Sequence, residues 1–302
     1  RRQRQMCIRD RGVYRRTIEI SDTIGKTFSL LFDGAMSNAH VKINGKEVGF
    51  WPYGYNSFEV NLSNSDLKPG DNELVVELEN FEKASRWYPG AGLYRNVHLI
   101  ATDRLHIPVW GTYITTPIVS ADYASVNLRA EIAGAKRLKK WPHGEKVLVK
   151  TVILNPGGKE VAADAYEYIA RGQWFSQNFI VDRPELWSPD SPSLYTARTT
   201  LSVDGKEVDS YDTRFGIRKL EYVPSKGFFL NGEPTKFKGV CNHHDLGPLG
   251  AAVNRSALRH QIELMKDMGV NAIRTSHNMP APELVELCDE MGVMLMLSLI
   301  HI

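Results

Sequence analysis

From Tyr222 to Met296 the chain alternates strand-like and helix-like segments joined by short loops, and this grammar restricts the fold more than anything else in the sequence. Phe237-Lys238-Gly239-Val240-Cys241 reads as a strand. A helix follows from Asn254, with Leu258, Ile262 and Met265 at i, i+4 and i+7, and Gly269 stands where a C′ residue with positive φ is needed. Val270-Asn271-Ala272-Ile273-Arg274 is the next strand. A second helix opens with Pro282 at N1, carries Leu284, Leu287 and Cys288, and stops before Gly292, after which Val293-Met294-Leu295-Met296 begins a third strand. Strand–helix–strand crossovers of this kind build a parallel sheet. About 80 residues cannot complete such a sheet.

Upstream the hydrophobic period is two. Thr17-Ile18-Glu19-Ile20, Phe28 to Phe32, Val41-Lys42-Ile43, Phe58 to Leu62, Leu74 to Leu78 and Val97 to Ile100 read as short strands of a sandwich. Asn44-Gly45 predicts a type I′ hairpin, because that turn needs φ > 0 at both central positions, and Lys68-Pro69-Gly70-Asp71 marks another turn. A second all-β stretch runs from about Asp103 to Leu220, with alternation at Val126 to Ala130 and Val147 to Val152 and turns at Asn155-Pro156-Gly157-Gly158 and Asp204-Gly205. It fits an immunoglobulin-like sandwich. The basic run Lys136-Arg137-Leu138-Lys139-Lys140 reads as a solvated turn.

The two ends read differently. Arg1 to Arg11 spell RRQRQMCIRDR, which resembles the conceptual translation of a transposase sequencing adapter, and Leu297 to Ile302, LSLIHI, resembles the same adapter read in reverse. Both are expected to be artefacts that take no part in the fold. Without Arg1, Arg2, Arg4, Arg9, Arg11 and Asp10, Lys+Arg falls from 37 to 32 and Asp+Glu from 35 to 34, so the net charge of +2 becomes −2. That balance gives no footprint for nucleic acid or an anionic membrane, and no run approaches the roughly 20 apolar residues of a membrane helix. Cys241 and Cys288 remain, too few for a disulfide framework. The expectation is a soluble protein. Its compartment, cytoplasmic, periplasmic or secreted, stays open because any leader would precede Gly12.

In a parallel β/α fold, chemistry sits where strands end and loops begin. The first such loop carries Asn242-His243-His244-Asp245 and the second Arg274-Thr275-Ser276-His277-Asn278. Imidazole, guanidinium and amide groups at one rim suit a polyhydroxylated ligand, since they donate hydrogen bonds to hydroxyls. A metal site built from His243, His244, Asp245 and His277 is the competing reading. Adjacent histidines at a strand end point to opposite sides, which argues against a shared ion. No phosphate loop, nucleophile elbow or Cys/His zinc pattern is present.

Three motifs then carry a resemblance. Ser85-Arg86-Trp87-Tyr88-Pro89-Gly90-Ala91-Gly92-Leu93-Tyr94-Arg95-Asn96-Val97, Leu186-Trp187-Ser188-Pro189 through Arg214-Phe215-Gly216-Ile217-Arg218, and Asn271 to His277 through Cys288-Asp289-Glu290-Met291-Gly292 resemble signatures of glycoside hydrolase family 2, of the β-galactosidase type. The resemblance covers nearly all of Gly12 to Met296. It implies a multidomain β plus α/β chain: a jelly-roll sugar-binding sandwich over 12–103 lacking its opening strands, an immunoglobulin-like sandwich over 104–220, and the start of a catalytic TIM barrel over 221–296, flanked by the adapter strings at 1–11 and 297–302. It also implies a retaining exo-glycosidase acting on terminal β-D-galactosides through two glutamates, the acid/base after the fourth barrel strand and the nucleophile after the seventh. Neither would lie in this chain, so residues 1–302 are expected to be inactive alone and to leave a sheet edge and apolar barrel surface uncovered.

What the resemblance carries onto these residues is sugar binding. His243 and His277 match histidines that contact the sugar in the cleaved-unit subsite, Arg274 matches the arginine before the second of them, and Asp245 and Asn278 stand as orienting groups. Arg86 occupies a loop that reaches the barrel mouth, where some family members carry an acidic residue, and Trp87 and Tyr88 are candidates for stacking on a sugar. No metal ligand and no cofactor is assigned within the chain, while Mg²⁺ or Na⁺ and a homo-oligomer remain compatible with the full enzyme. The expected partner is a carbohydrate substrate. β-Glucuronidase and β-mannosidase of the same family, a non-catalytic carbohydrate-binding protein and a metal-dependent barrel hydrolase are the alternatives.

Overall fold

The computed structural model describes residues 11–80, 91–135, 145–170 and 174–299. Arg86, Trp87, Tyr88 and the basic run 136–140 lie outside the described residues. Contacts divide the chain into two compact units, one made of residues up to Ala101 with Lys238–Cys288 and the stretch from Val293, the other of Thr102–Phe237 with Asp289–Gly292.

The first unit contains a sandwich of seven strands, β1 (Arg11–Ile20), β2 (Lys26–Phe32), β3 (Ala39–Ile43), β4 (Lys46–Trp51), β5 (Phe58–Leu62), β6 (Gly70–Glu79) and β7 (Val97–Asp103). They form two sheets, β1-β6-β3-β4 and β5-β2-β7. Period-two patterning places Val41, Ile43, Leu74, Val76 and Leu78 of one sheet against Leu30, Phe32, Phe58, Val60 and Leu62 of the other. Phe32 stacks on Phe58 with centroids 4.7 Å apart. The β3–β4 turn is the predicted one, with φ of 51° at Asn44 and 82° at Gly45. β1 lies at a sheet edge and is largely exposed.

The same unit holds the β/α segment. β18 (Gly239–Asn242), β19 (Ala272–His277) and β20 (Met294–Leu299) pair in parallel in that order. α1 (Arg255–Asp267) and α2 (Pro282–Met291) make the crossovers. Asn254 caps α1 by accepting from the Ala257 amide at 3.0 Å, Gly269 follows with φ 83°, and Leu258 and Ile262 are buried beneath the helix. β20 continues through Leu297 to Leu299, and Met296 and Leu297 are exposed.

The second unit is a sandwich of β8 (Thr112–Val119), β9 (Tyr123–Glu131), β10 (Glu145–Leu154), β11 (Glu160–Ala170), β12 (Trp174–Asp182), β13 (Tyr195–Val203) and β14 (Lys206–Phe215). Its sheets are β11-β10-β13-β14 and β12-β9-β8. A buried polar bridge crosses between them: Thr151 Oγ donates to Gln177 Oε1 at 2.6 Å and lies 2.9 Å from the Thr199 hydroxyl. The motif from Leu186 to Arg218 closes around Trp187, which is buried, takes Arg218 over its ring at 5.0 Å and donates its indole N–H to Asp289 O at 2.9 Å. A small sheet of β15 (Leu220–Val223), β16 (Gly227–Leu230) and β17 (Glu233–Pro234) follows. Sequence reading has no strands there, because Glu-Tyr-Val and Gly-Phe-Phe-Leu are too short to show a period. Among the described residues no helix is long and apolar enough to cross a membrane.

Two glycines with positive φ give a paired test. At Gly158 (φ 79°) a Cβ would meet open space, whereas at Gly134 (φ 73°) it would fall 1.7 Å from Arg104 O. Gly158→Ala therefore carries only the left-handed backbone cost, about 1–2 kcal/mol. Gly134→Ala also drives a methyl into a carbonyl, and a cost of roughly twice that or more is expected. Urea unfolding of the two variants compares them directly.

Candidate functional site

The strand ends are organised by alternation. Cys241 pairs with Arg274 and Asn242 with Thr275 across the β18–β19 ladder. Asn242 Nδ2 donates to Gln261 Oε1 of α1 at 3.1 Å, so this pair of positions faces the helices. Arg274 and Cys241 therefore face the other way, and Arg274 Nη1 lies 3.8 Å from Cys241 Sγ. On that open face Arg274 Nη2 donates to Ser298 Oγ at 2.9 Å and approaches His277 Nδ1 at 3.5 Å, while His277 Nδ1 is 2.9 Å from the same hydroxyl. A guanidinium only donates, so this surrounding favours Nδ1 as acceptor and leaves the ring proton on Nε2, a donor suited to a hydroxyl. The His243 ring stands edge-on to His277 at 6.5 Å. His243, Arg274 and His277 are thus brought together.

His244 diverges from His243 as the strand-end argument expects. It lies edge-on to Tyr55 at 5.5 Å and near Tyr94 at 6.3 Å, an aromatic cluster of the sandwich. Asp245 Oδ1 accepts from the Gly247 amide at 2.7 Å and so opens the 3-10 turn Gly247–Leu249. Asp245 and Asn278 line a cavity with Tyr94, Arg95, His243 and His244, walled by Leu246, Ala251, Val253 and Leu258. Its volume of about 30 Å³ is room for roughly two waters and far too little for a pyranose. Arg274 and His277 are not among its lining. The sequence candidates therefore divide: Arg274 and His277 serve the open face, Asp245 and Asn278 the cavity behind it, and His243 stands at the boundary, lining the cavity while its ring meets His277. Among the described residues no three His, Cys, Asp or Glu side chains converge as metal ligands.

The residue that sequence reading misses is Arg95. It lies in the quoted motif, where Arg86 draws attention by its neighbours Trp87 and Tyr88. The structure makes Arg95 the arginine that joins sandwich to strand ends, with an accessible fraction of 6%. Nη1 donates to Asp33 O (3.1 Å), Tyr55 O (2.7 Å) and Pro280 O (3.4 Å), and Nη2 to Met279 O (2.7 Å). Its neighbours reinforce it: Tyr94 O accepts from the Val253 amide at 2.9 Å, and Asn96 Nδ2 donates to Glu283 Oε1 in the first turn of α2. Burial pulls the Arg95 guanidinium below its usual range, and the nearby Tyr94, Glu283 and Asp33 oppose that shift. Burial pushes the Tyr94 phenol up to about 12, and the Arg95 charge partly opposes it. The signal available in sequence was the bare adjacency of Tyr94, Arg95 and Asn96 just before a strand, which names no partner.

With the geometry described, comparison with known proteins locates the chain. A family model described as Glycosyl hydrolases family 2 matches residues 106–218, and one described as Glycosyl hydrolases family 2, TIM barrel domain, matches 222–298. The chain is 41% identical over 294 residues to the β-galactosidase BoGH2A of Bacteroides ovatus, covering 94% of this chain and 34% of that protein. It is 39% identical to a putative β-glucuronidase of Formosa agariphila, covering 94% of this chain and 27% of that one. A solved glycosyl hydrolase family 2 member from Bacteroides cellulosilyticus superposes with a TM-score of 0.90 at 34% identity, covering 96% of this chain and 37% of that chain. A Bacteroides uniformis β-glucuronidase 2, covalently bound to cyclophellitol-6-carboxylate aziridine, gives 0.83 at 30% identity, with 95% and 36% covered. The chain spans about a third of the length of these relatives.

Tyr94 Oη donates to Gly54 O at 2.7 Å inside this contact. Its folded pKa, about 12, lies above the ordinary value near 10, so its contribution to stability is intact below pH 10 and is lost as pH rises toward 12. Tyr94→Phe is expected to cost about 1–2 kcal/mol at pH 8, where the Gly54 carbonyl loses its donor. The gap between the two proteins should close between pH 10 and 12. Urea midpoints measured across that range check both points.

Proposed function

This chain belongs to glycosyl hydrolases family 2, and we propose that it supplies the sugar-facing strand ends of a retaining exo-glycosidase that removes terminal β-D-galactosyl units. The observation that carries the reading is the convergence of His243, Arg274 and His277 on the open face of a parallel sheet, where the cavity behind is too small for a sugar. His277, with Nε2 as donor, and His243 hydrogen-bond hydroxyls of the cleaved unit, and those bonds strengthen as the ring flattens toward the oxocarbenium-like transition state. Arg274 holds the His277 ring in place, through its approach to Nδ1 and the Ser298 hydroxyl that both share. The chemistry itself is double displacement by two glutamates about 5 Å apart, contributed after later barrel strands, and residues 1–302 alone bind without cleaving. The galactoside assignment follows the similarity to BoGH2A.

A second reading, β-glucuronidase, is favoured by the comparably similar Formosa agariphila relative and by the Bacteroides uniformis structure. The two substrates differ at C6, a neutral hydroxymethyl in one and a carboxylate in the other. Initial rates of the full-length enzyme on aryl β-D-galactoside and aryl β-D-glucuronide decide between them. The galactoside is expected to have the higher kcat/KM, and the reverse order would overturn that assignment while keeping the family. His277→Ala is expected to lower kcat/KM roughly a hundredfold, the scale for losing one donor that acts on transition-state charge.

A further inference from the structure

We propose that Arg95, a side chain of the sandwich, is a positioning residue for the sugar subsite, acting by clamping the backbone of the loop that carries Asn278 directly after His277. This rests on the glycosidase reading above and adds to it a role for the sandwich: it sets the shape of the subsite from behind.

The clamp is specific in its chemistry. Its guanidinium is shared between two sets of neutral carbonyls, Asp33 O and Tyr55 O on the sandwich side and Met279 O and Pro280 O on the loop between β19 and α2. Nη1 serves three of the four, and only Nη2 reaches Met279 O, at 2.7 Å. The planar fork is what lets one side chain hold both sides at once. The backbone makes room for it: a Cβ at Gly34 would stand 2.8 Å from Arg95 Cδ. The residues on either side grip neighbouring parts of the same rim, Tyr94 O on Val253 N ahead of α1 and Asn96 on Glu283 at the start of α2. Three consecutive sandwich residues therefore hold both strand-end loops, and Arg95 holds the one next to His277. None of them faces the open side on which His277 meets Arg274. Arg95 therefore acts through the loop and touches no sugar.

Lysine separates the clamp from the fold. A single ammonium placed where Nη1 lies can still satisfy Asp33 O and Tyr55 O but leaves Met279 O without its donor. In the full-length enzyme, Arg95→Lys is expected to lower the thermal midpoint by a few degrees at most. Amide hydrogen exchange over residues 277–284 is expected to quicken about tenfold while exchange over α1 stays unchanged. The KM for an aryl β-galactoside should rise roughly tenfold with kcat changed much less, because the donors are misplaced and the reacting carboxylates are untouched. Arg95→Ala, which also strips the sandwich side, should lose folded protein as well. Unchanged exchange over 277–284 together with unchanged KM in Arg95→Lys overturns the proposal. So does a loss of activity in Arg95→Lys that only follows the loss of folded protein, with the remaining enzyme showing the wild-type KM. If the wild-type enzyme cleaves no glycoside, the glycosidase reading fails, and the exchange rates still decide whether Arg95 holds the loop.

Discussion

A buried guanidinium bonded to four backbone carbonyls is the constraint on which the first unit depends. Removing a charge from water costs several kcal/mol, and Arg95 offsets that with charge-assisted bonds to neutral acceptors and with the nearby Glu283 and Asp33. The contact is demanding for that reason. Any displacement of the loop leaves either a guanidinium N–H or a carbonyl unpaired in a buried place, so the sandwich and the strand ends are fixed in one arrangement. Tyr94 and Asn96 extend the same seam on either side, and the apolar cluster of Met36, Tyr55, Tyr94 and Ala251 seals it from solvent.

This seam explains the division of labour among the histidines. His244 is occupied in it, edge-on to Tyr55, whereas its neighbour His243 meets His277. The extended backbone at the end of β18 sends consecutive side chains to opposite sides, so one histidine becomes part of the packing and the other part of the rim. The cavity between them is water-sized, and Arg274 and His277 lie on the other, open side.

The second unit solves a different problem. Two sheets without a disulfide between them are joined by Gln177, Thr151 and Thr199, a fully buried amide–hydroxyl–hydroxyl bridge in an otherwise apolar core. Such a bridge tolerates only one register, because a slip of one residue would bury these groups without partners. At the end of the unit Trp187 performs a comparable service, with its indole N–H committed to Asp289 O.

Much of this was legible in the order of residues because it is local. Period-two alternation, the Asn44-Gly45 turn, the Asn254 cap and the glycines that end both helices depend on neighbours within a few positions, and the structure reproduces them. So does the parallel order of β18, β19 and β20, since short crossovers leave little choice. The β15–β17 sheet was not legible, because its strands are shorter than any period can show. Which arginine matters was decided only by the tertiary structure. Arg95 finds Met279 at a separation of 184 positions, and no pattern in the motif around it names that partner. The division of the rim residues between open face and water-sized cavity was decided there too. Sequence determines which side of a strand a residue takes, but what stands on that side depends on elements that meet only when the chain has folded.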